Sequence, residues 1–271
     1  MKTYQLTPAG AREIPLSAAN FDEASRQLPD GLYTTFRTRA GGRQALGLQS
    51  HLDRLYLPAA AQAIRPQVSE AELRQFLSQI CAAQAGESRL RLTLGVSDSP
   101  GAVFVSIQPF LPPGLEVYQQ GVRVVSVEVA RSSPRLKSTA FIQQSAELRK
   151  LVTGDVYEVL LCRNGSVLEG MTSNFYVIEA GGLVTSRNGI LLGVTRRTLI
   201  RLARRAGLEV EYRAPALAET FQEAFLTSSS RGVVPIVAID GRPVGQGRPG
   251  PWTKKLIGAY EEYVQNHSQK I

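Results

Sequence analysis

The sequence contains few of the residues that build metal sites and disulfide frameworks. Its 271 residues include only two histidines and two cysteines, and both Cys81 and Cys162 lie inside apolar segments. Two histidines cannot form a histidine metal cluster, and two cysteines cannot complete a zinc site. The cysteine spacing does not suggest a disulfide framework either. We therefore expect no bound metal and a reducing, cytoplasmic setting.

Several motifs of common enzyme classes are also absent. No G-x-S-x-G turn supports a serine hydrolase, which would have to use His51 as its base because His267 lies in a polar tail. No G-x-x-x-x-G-K-[ST] segment indicates a phosphate-binding loop of that type. One G-x-G-x-x-G match, at 245–250, has no room after it for a βαβ unit, so we interpret it as a loop before a helix that begins at Pro251.

Charge and hydropathy bear on the partners of the protein. No apolar run is long enough to cross a membrane, and the segment MKTYQLTPAG has no signal-peptide core. The net charge of +8 raises nucleic acid as a partner, although the basic residues are dispersed. The densest basic group consists of Arg196, Arg197, Arg201, Arg204 and Arg205. Because few aromatic residues are nearby, we interpret this group as a solvated helix face and expect neither a nucleic-acid nor a membrane partner.

Hydrophobic periodicity predicts a chain of mixed strands and helices without steady alternation, which is typical of an α+β protein. The proline pair after residue 111 indicates a linker, so we predict one domain over 1–111 and a second over 112–271. Helices are predicted at about 49–63, 69–84, 138–151 and 251–266. Strands are predicted at 89–96, 102–110, 121–130, 173–180, 208–213, 223–228 and 232–240, with hairpins around 40–42 and 164–165.

The segment LLGVTRRTLIRLARRAG, residues 191–207, joins a glycine turn to a strongly patterned helix. Leucines and alanines three or four residues apart form one face, and arginines form the other. Thr195 occupies the position expected of an N-cap residue. A helix that starts after a glycine is also suited to binding a phosphate group. These residues alone leave both interpretations open.

Four further residues have side chains suited to catalysis or anion binding. Lys137 stands between a loop and a helix start, where a semi-enclosed amine can form a Schiff base, although most such lysines are simply exposed. Glu169 follows a strand and either faces a protonated heterocyclic nitrogen or lies in an exposed turn. Arg54 lies one helical turn after His51 and could bind phosphate through its planar group. Arg231 follows three serines at a strand end, where turn N–H groups could also bind an anion.

Taken in chain order, these segments resemble the fold-type IV pyridoxal-phosphate enzymes, the class IV aminotransferase family. The family includes branched-chain and D-amino-acid aminotransferases and aminodeoxychorismate lyase. The resemblance extends from about residue 30 to residue 240. The segments that carry it are HLDRL, the lysine of RLKST, EGMTSN, LLGVTR and TSSSR. Together these matches are highly specific, and they favour the phosphate-binding interpretation of the turn before the helix.

The resemblance implies a small N-terminal α/β domain, a larger α/β-barrel-like C-terminal domain, and pyridoxal 5′-phosphate in the cleft between them. It also implies a homodimer. Lys137 would bind the cofactor covalently and act as the catalytic acid–base, Glu169 would face the pyridine nitrogen, and Arg54 would bind the phosphate. The other implied cofactor-binding residues are Ser173, Asn174, Gly193, Val194, Thr195 and Ser229.

Three residues are candidate substrate ligands. The resemblance places Ser230 near the substrate. Tyr33 is a candidate pocket residue, although a core tyrosine is an equal alternative in a strand of this composition. Arg231 replaces a small residue of the family turn and either pairs with a substrate carboxylate in a bidentate fork or packs outward.

We expect an aminotransferase that moves an amino group between an amino acid, with branched-chain amino acids as one candidate class, and a 2-oxo acid. The alternative is aminodeoxychorismate lyase, which releases 4-aminobenzoate and pyruvate with the same cofactor. The threonine pair in GLYTTFRT looks more like the lyase, whereas RLRLTLGVSDSP replaces the lyase's glycine- and arginine-rich segment. A third interpretation, an RNA-binding protein without cofactor, would require every motif to match by chance.

Overall fold

The computed structural model describes all 271 residues, which form two compact units. Unit 1 contains Met1–Leu111, Leu136–Gln144 and His267–Ile271, and unit 2 contains Pro112–Arg135 and Ser145–Asn266. This division differs from a single boundary at residue 111, because two later segments pair with strands of unit 1. Ser138 forms a bridge to Leu32, and the end of the chain forms an edge strand.

The secondary structure alternates irregularly along the chain. The strands are β1 (Lys2–Thr7), β2 (Gly10–Ile14), β3 (Gly31–Arg39), β4 (Gln44–Ala45), β5 (Ser88–Gly95), β6 (Val103–Pro109), β7 (Val122–Val127), β8 (Val156–Arg163), β9 (Ser166–Gly170), β10 (Asn174–Glu179), β11 (Gly182–Val184), β12 (Glu209–Glu211), β13 (Glu223–Ser228), β14 (Gly232–Ile239), β15 (Arg242–Pro243) and β16 (Gln269–Lys270). The helices are α1 (Phe21–Gln27), α2 (Leu48–Ala61), α3 (Glu70–Ala82), α4 (Leu115–Gln119), α5 (Ala140–Gln144), α6 (Ala146–Arg149), α7 (Val194–Arg205) and α8 (Pro251–His267).

Unit 1 is built on an antiparallel seven-stranded sheet with the order β16-β4-β3-β5-β6-β1-β2. Alternate residues of β5, namely Leu90, Leu92 and Leu94, are completely buried, as expected for side chains that share one face of a strand. Leucines of α2 and α3 complete this core. A capping box, in which the Ser69 and Glu72 side chains bond each other's backbone N–H groups, fixes the start of α3.

Unit 2 is built on a mixed nine-stranded sheet with the order β12-β11-β10-β13-β14-β7-β8-β9, and β15 pairs with β14. The pairs β11–β12, β14–β7 and β7–β8 are parallel, and the others are antiparallel. Helix α8 begins at Pro251, as predicted, because the buried Glu223 carboxylate accepts the N–H groups of Trp252 and Thr253. A side chain at Gly250 would collide with that carboxylate. None of the helices has the length and apolar character that a membrane crossing requires.

Some predicted elements differ from the observed ones. The predicted helix 138–151 is two short helices, α5 and α6, because the backbone of Ser145 leaves the helical region between them (φ −91°, ψ 11°). The predicted linker, residues 111–116, overlaps the start of the short helix α4, which begins at Leu115. The hairpin of β1 and β2 and helix α1 were not predicted, because these elements are short and β2 is largely exposed.

Candidate active site

The backbone around Lys137 is fixed against β3 of unit 1. The Lys137 carbonyl accepts the N–H of Tyr33 at 2.8 Å, and the N–H of Thr139 bonds the Gly31 carbonyl at 2.9 Å. The Thr139 hydroxyl bonds both the Gly31 N–H and the Asp30 carboxylate at 2.9 Å. These bonds attach residues 137 and 139 to residues 30, 31 and 33. The half-buried Lys137 side chain is therefore presented from a rigid support.

The ring of Tyr33 contacts two cationic side chains of the same unit. Lys137 Nζ and Arg91 Cζ each lie over this ring, 4.7 Å from its centroid. Buried Arg91 is itself held by Asp22 at 2.8 Å and by Ser25 Oγ at 2.9 Å. A cation over an aromatic face is stabilised by the ring's quadrupole. Tyr33 is buried, as a core tyrosine would be, and its ring lies beside the predicted catalytic amine; its role as a pocket residue stays a prediction.

Helix α2 places His51 and Arg54 one turn apart, as predicted. His51 is buried, and its Nδ1 lies 2.6 Å from Thr34 Oγ1. Burial and the positive charges of Arg54 and Lys137 lower the pKa of His51 to about 3. An imidazole with so low a pKa is a weak base at neutral pH. His51 is therefore a core histidine in a positively charged neighbourhood, and the hydrolase interpretation has no support.

In unit 2, Glu169 is a buried carboxylate with several donors. Arg131 Nε donates to Glu169 Oε1 at 2.8 Å, and both side chains are almost completely buried. The Leu191 N–H and Asn174 Nδ2 lie 3.1 and 3.4 Å from Glu169 Oε2. Arg131 Nη2 also donates to the Met171 carbonyl at 2.7 Å. Glu169 is thus not an exposed turn residue, which corrects that alternative.

The glycine turn before α7 packs on the same cluster. Asn174 Nδ2 donates to the Leu191 carbonyl at 2.8 Å, and a Cβ at Gly193 would collide with Asn174 Oδ1. Gly193, not Thr195, is the N-cap residue, and no side chain caps the helix. Because the first N–H groups of a helix lack intrahelical acceptors, those of Val194 and Thr195 are suited to an external anion. The prediction that Thr195 caps the helix is therefore wrong.

Hydroxyl groups surround this helix start. Thr195 is buried, and its Oγ1 lies 3.5 Å from Ser229 Oγ in the turn between β13 and β14. Ser173 Oγ is buried without a hydrogen-bond partner, and Ser230, next in the turn, is also buried. An unsatisfied buried hydroxyl is unusual, because such groups normally find a partner. The donor set of unit 2, hydroxyls and N–H groups beside a buried carboxylate, fits a ligand with a phosphate and a protonated ring nitrogen.

Arg231 is engaged by a second buried carboxylate. Its Nη2 lies 2.7 Å from Glu158 Oε2 and 2.7 Å from Thr172 Oγ1, and its Nε lies 3.2 Å from Ser228 Oγ. Glu158 also accepts the Thr172 N–H at 2.8 Å. The guanidinium therefore ties the turn 228–231 to the segment after β9. It does not pack outward, and part of the fork predicted for a substrate carboxylate is occupied by Glu158.

We expect Arg231→Ala to lower the free energy of unfolding, because the buried Glu158 carboxylate would lose its charged partner. Removal of one partner from a buried pair costs about 3–5 kcal/mol, and the lower end applies since Arg231 remains 21% exposed. Urea denaturation of the variant measures the loss, with Arg205→Ala, an exposed arginine, as the control. Equal stability of the two variants would show that the Glu158 contact is not stabilising.

Three contributors to these clusters were not predicted: Arg131, Glu158 and Arg91. Arg131 and Glu169 are separated by 38 residues, and Arg231 and Glu158 by 73. The partners meet only because the folded sheet brings the loop after β7 close to β9, and the turn before β14 close to β8. No local spacing in the sequence carries this information.

Comparison with known proteins gives consistent matches. A family model described as amino-transferase class IV matches residues 31–239. The D-alanine aminotransferase of Bacillus licheniformis is 30% identical over 274 residues, which cover 93% of this chain and 94% of that protein. A probable branched-chain-amino-acid aminotransferase of Thermotoga maritima is 31% identical over 266 residues, which cover 94% and 93%. The structure of a hypothetical aminotransferase from Mycobacterium tuberculosis, in its α-ketoglutarate- and PMP-bound form, has a TM-score of 0.77 at 22% identity, covering 97% of this chain and 99% of that one.

The fold and the order of the motifs define an enzyme of the aminotransferase type. The chain belongs to the class IV aminotransferase family. Its architecture is the fold-type IV arrangement of α and β elements, and pyridoxal phosphate is the cofactor of the family. The predictions of family, fold class and aminotransferase activity are confirmed.

Proposed function

We propose that this enzyme transfers an amino group between an amino acid and a 2-oxo acid, with Lys137 as its catalytic residue. The observation that carries the proposal is Glu169, a buried carboxylate held by Arg131 and the Leu191 N–H beside the uncapped start of α7. Pyridoxal phosphate needs a negative group opposite its ring nitrogen and donors for its phosphate. Unit 2 offers both kinds of group.

Each residue of the proposed site has its own role in the reaction. When bound, pyridoxal phosphate supplies an electron sink for the reaction at the substrate's α-carbon. Lys137 Nζ would hold the cofactor covalently, and its amine would move a proton at the α-carbon of the substrate. Glu169 would face the ring nitrogen of the cofactor, while Arg131 holds the Glu169 carboxylate in place. The rigid attachment of the Lys137 backbone to β3 limits the motion of the amine.

Phosphate binding is assigned, as the family resemblance implies, to Arg54, Gly193, Val194, Thr195 and Ser229. Ser173 and Asn174 complete the proposed cofactor-binding set. Ser173 contributes its unsatisfied hydroxyl, and Asn174 positions the turn at Leu191 and Gly193. Tyr33, Ser230 and Arg231 are assigned to the substrate side. Arg231 acts there by holding the turn 228–231, and not as a free guanidinium that pairs with a substrate carboxylate.

Arg54→Ala and Thr195→Ala are expected to weaken cofactor retention more than they slow the chemistry of the loaded enzyme. Loss of a charge-assisted hydrogen bond costs about 1.5–3 kcal/mol, or roughly a ten- to hundred-fold loss of affinity. Equilibrium dialysis of the cofactor measures the effect. Thr198→Ala, one turn further along α7, is the matched control. If all three variants retain the cofactor like the wild type, the phosphate lies elsewhere.

The names of the relatives differ in substrate, with D-alanine for one and branched-chain amino acids for the other. Both are α-amino acids, so we propose an α-amino acid donor, with branched-chain amino acids and D-alanine as the first candidates. A panel of L- and D-amino acids tested against 2-oxoglutarate and pyruvate is expected to show transfer with one stereochemical series. If no donor gives amino transfer and the enzyme releases 4-aminobenzoate from aminodeoxychorismate, the enzyme is the lyase instead. No finding above is specific for the lyase.

We further propose a homodimer that acts in amino-acid metabolism in the cytoplasm, as the family resemblance and the two free, buried cysteines suggest. The expected partners are the small-molecule substrates. Light scattering of the holoenzyme is expected to give twice the mass of one chain. A monomer with full activity would contradict the dimer.

A further inference from the structure

Three arginines of unit 2 lie around one tyrosine, and a fourth is bonded to one of them. The guanidinium carbons of Arg187, Arg196 and Arg204 lie 5.6, 5.6 and 6.0 Å from the ring centroid of Tyr212. Arg135 joins them by donating from Nη2 to the Arg187 carbonyl at 3.0 Å. We call these four arginines and Tyr212 the Tyr212 arginine cluster.

No carboxylate forms an ion pair with any arginine of the cluster. Arg196 Nη2 donates to the Ser186 carbonyl at 2.8 Å, and Arg204 Nη2 lies 3.2 Å from the Tyr212 hydroxyl. The neighbouring carboxylate of Glu211 instead bonds Arg213 Nε at 3.1 Å. Arg213 also binds two further glutamates, so the acidic groups of this region are used outside the cluster. The cluster therefore concentrates positive charge with only uncharged acceptors.

Arg196 is the most constrained member of the cluster. Its residue surface is only 6% exposed, and its Nε has no hydrogen-bond partner. Burial lowers the pKa of the Arg196 guanidinium, and the charges of Arg135 and Arg187 lower it further. A buried guanidinium usually has a carboxylate or phosphate partner, because an unpaired buried charge is destabilising. This partner is missing among the side chains of the chain itself.

We propose that the Tyr212 arginine cluster binds a small anion that carries phosphate groups. Guanidinium groups recognise phosphate oxygens through paired hydrogen bonds, and several of them together match a multiply charged anion. Arg135, Arg187, Arg204 and Tyr212 are exposed, so a solute can reach the cluster. Single-stranded nucleic acid fits less well, because its bases require free aromatic faces for stacking and the cluster has one ring, that of Tyr212, which already has three guanidinium groups near it.

The site shares no residue with those assigned to the cofactor. Arg187 lies in the loop 186–191, which also supplies the Leu191 N–H to Glu169. The test therefore uses the holoenzyme, in which the bound cofactor occupies the residues that we assign to phosphate binding. Binding at the cluster is then measured separately, and its failure leaves the proposed aminotransferase activity unaffected.

Inorganic pyrophosphate is titrated into the holoenzyme by isothermal calorimetry, with glycerol phosphate as a second probe. Wild type is expected to bind one pyrophosphate per chain, and Arg187→Gln and Arg204→Gln are each expected to weaken binding about tenfold or more. Arg205→Gln removes the same charge from the next position of α7 and is expected to bind like the wild type. Comparable binding of glycerol phosphate supports an organic phosphate as ligand, and binding of pyrophosphate alone supports an inorganic one.

Three results would overturn the proposal. The first is that the wild type does not bind pyrophosphate at millimolar concentration. The second is that Arg205→Gln loses as much pyrophosphate affinity as the cluster variants do. The third is that the pyrophosphate affinity is unchanged in both Arg187→Gln and Arg204→Gln. Tighter binding of a short RNA than of pyrophosphate, with the same dependence on Arg187 and Arg204, would replace the small anion with nucleic acid. Circular dichroism confirms that each variant is folded. Since Arg204 is exposed at the end of α7, Arg204→Gln tests the site even if Arg187→Gln misfolds.

Discussion

Lys137→Ala is expected to abolish amino transfer and the absorption band of the lysine-bound cofactor, while the protein stays folded. Loss of a general acid–base alone slows a reaction by about 10²–10⁴-fold, and loss of the covalent attachment adds to this. The fold is expected to persist because the bond between the Tyr33 N–H and the carbonyl of residue 137 involves only the backbone. Turnover assays, the visible spectrum and circular dichroism measure the three parts of this prediction.

Lys150→Ala is the matched control for that experiment. Lys150 is exposed, and its Nζ pairs with Glu147 at 2.7 Å on the surface, an interaction that contributes little to stability. The Lys150 variant is expected to keep both the absorption band and the activity. Retained turnover in Lys137→Ala, or a selective loss in Lys150→Ala, would contradict the assignment of the catalytic lysine.

Arg131→Met is expected to lower the free energy of unfolding by about 3–5 kcal/mol, because it removes the Arg131 guanidinium from the buried Glu169 carboxylate. Urea denaturation of the cofactor-free protein measures this change without any contribution from ligand binding. Arg123→Met is the control, since its pair with Asp155 is exposed and is expected to contribute less than about 1 kcal/mol.

A double variant tests whether the effect comes from the pair. Arg131→Met combined with Glu169→Gln removes both charges, so the double variant is expected to be more stable than Arg131→Met alone. The interaction energy follows from the four stabilities of the double-mutant cycle. Strictly additive losses would mean that Arg131 stabilises unit 2 through its bond to the Met171 carbonyl instead of through Glu169.

The parts of the fold that depend on local patterns could be predicted from the sequence. The alternating leucines of β5 indicate a strand, and Pro251 marks the start of α8. The start of α7 was misassigned because Thr195 has the residue type of an N-cap but is buried inside the first turn. Arg196 was assigned to a solvated face, yet it is buried beside Tyr212, at helical spacing from the buried Leu199 and Ala203.

The candidate site was predictable where a short motif carries it. Lys137, Glu169 and Arg54 were assigned through such motifs, and their roles stay predictions. Arg131 and Glu158 were missed because their partners lie far away in the sequence, across the strands of one sheet. Arg231 was identified, but its main partner could not be, so the ion pair with Glu158 is neither the substrate fork nor the outward packing that the sequence left open.

The central claim is that Lys137 carries the cofactor, and borohydride reduction followed by tryptic mapping tests it most directly. Reduction makes the bond between lysine and cofactor permanent, and trypsin does not cleave after a modified lysine. The account predicts a cofactor-labelled peptide 136–149, uncut at Lys137, since Arg135 and Arg149 are the flanking cleavage sites. A label on the peptide 150–163, attached to Lys150, or on any other lysine would contradict it.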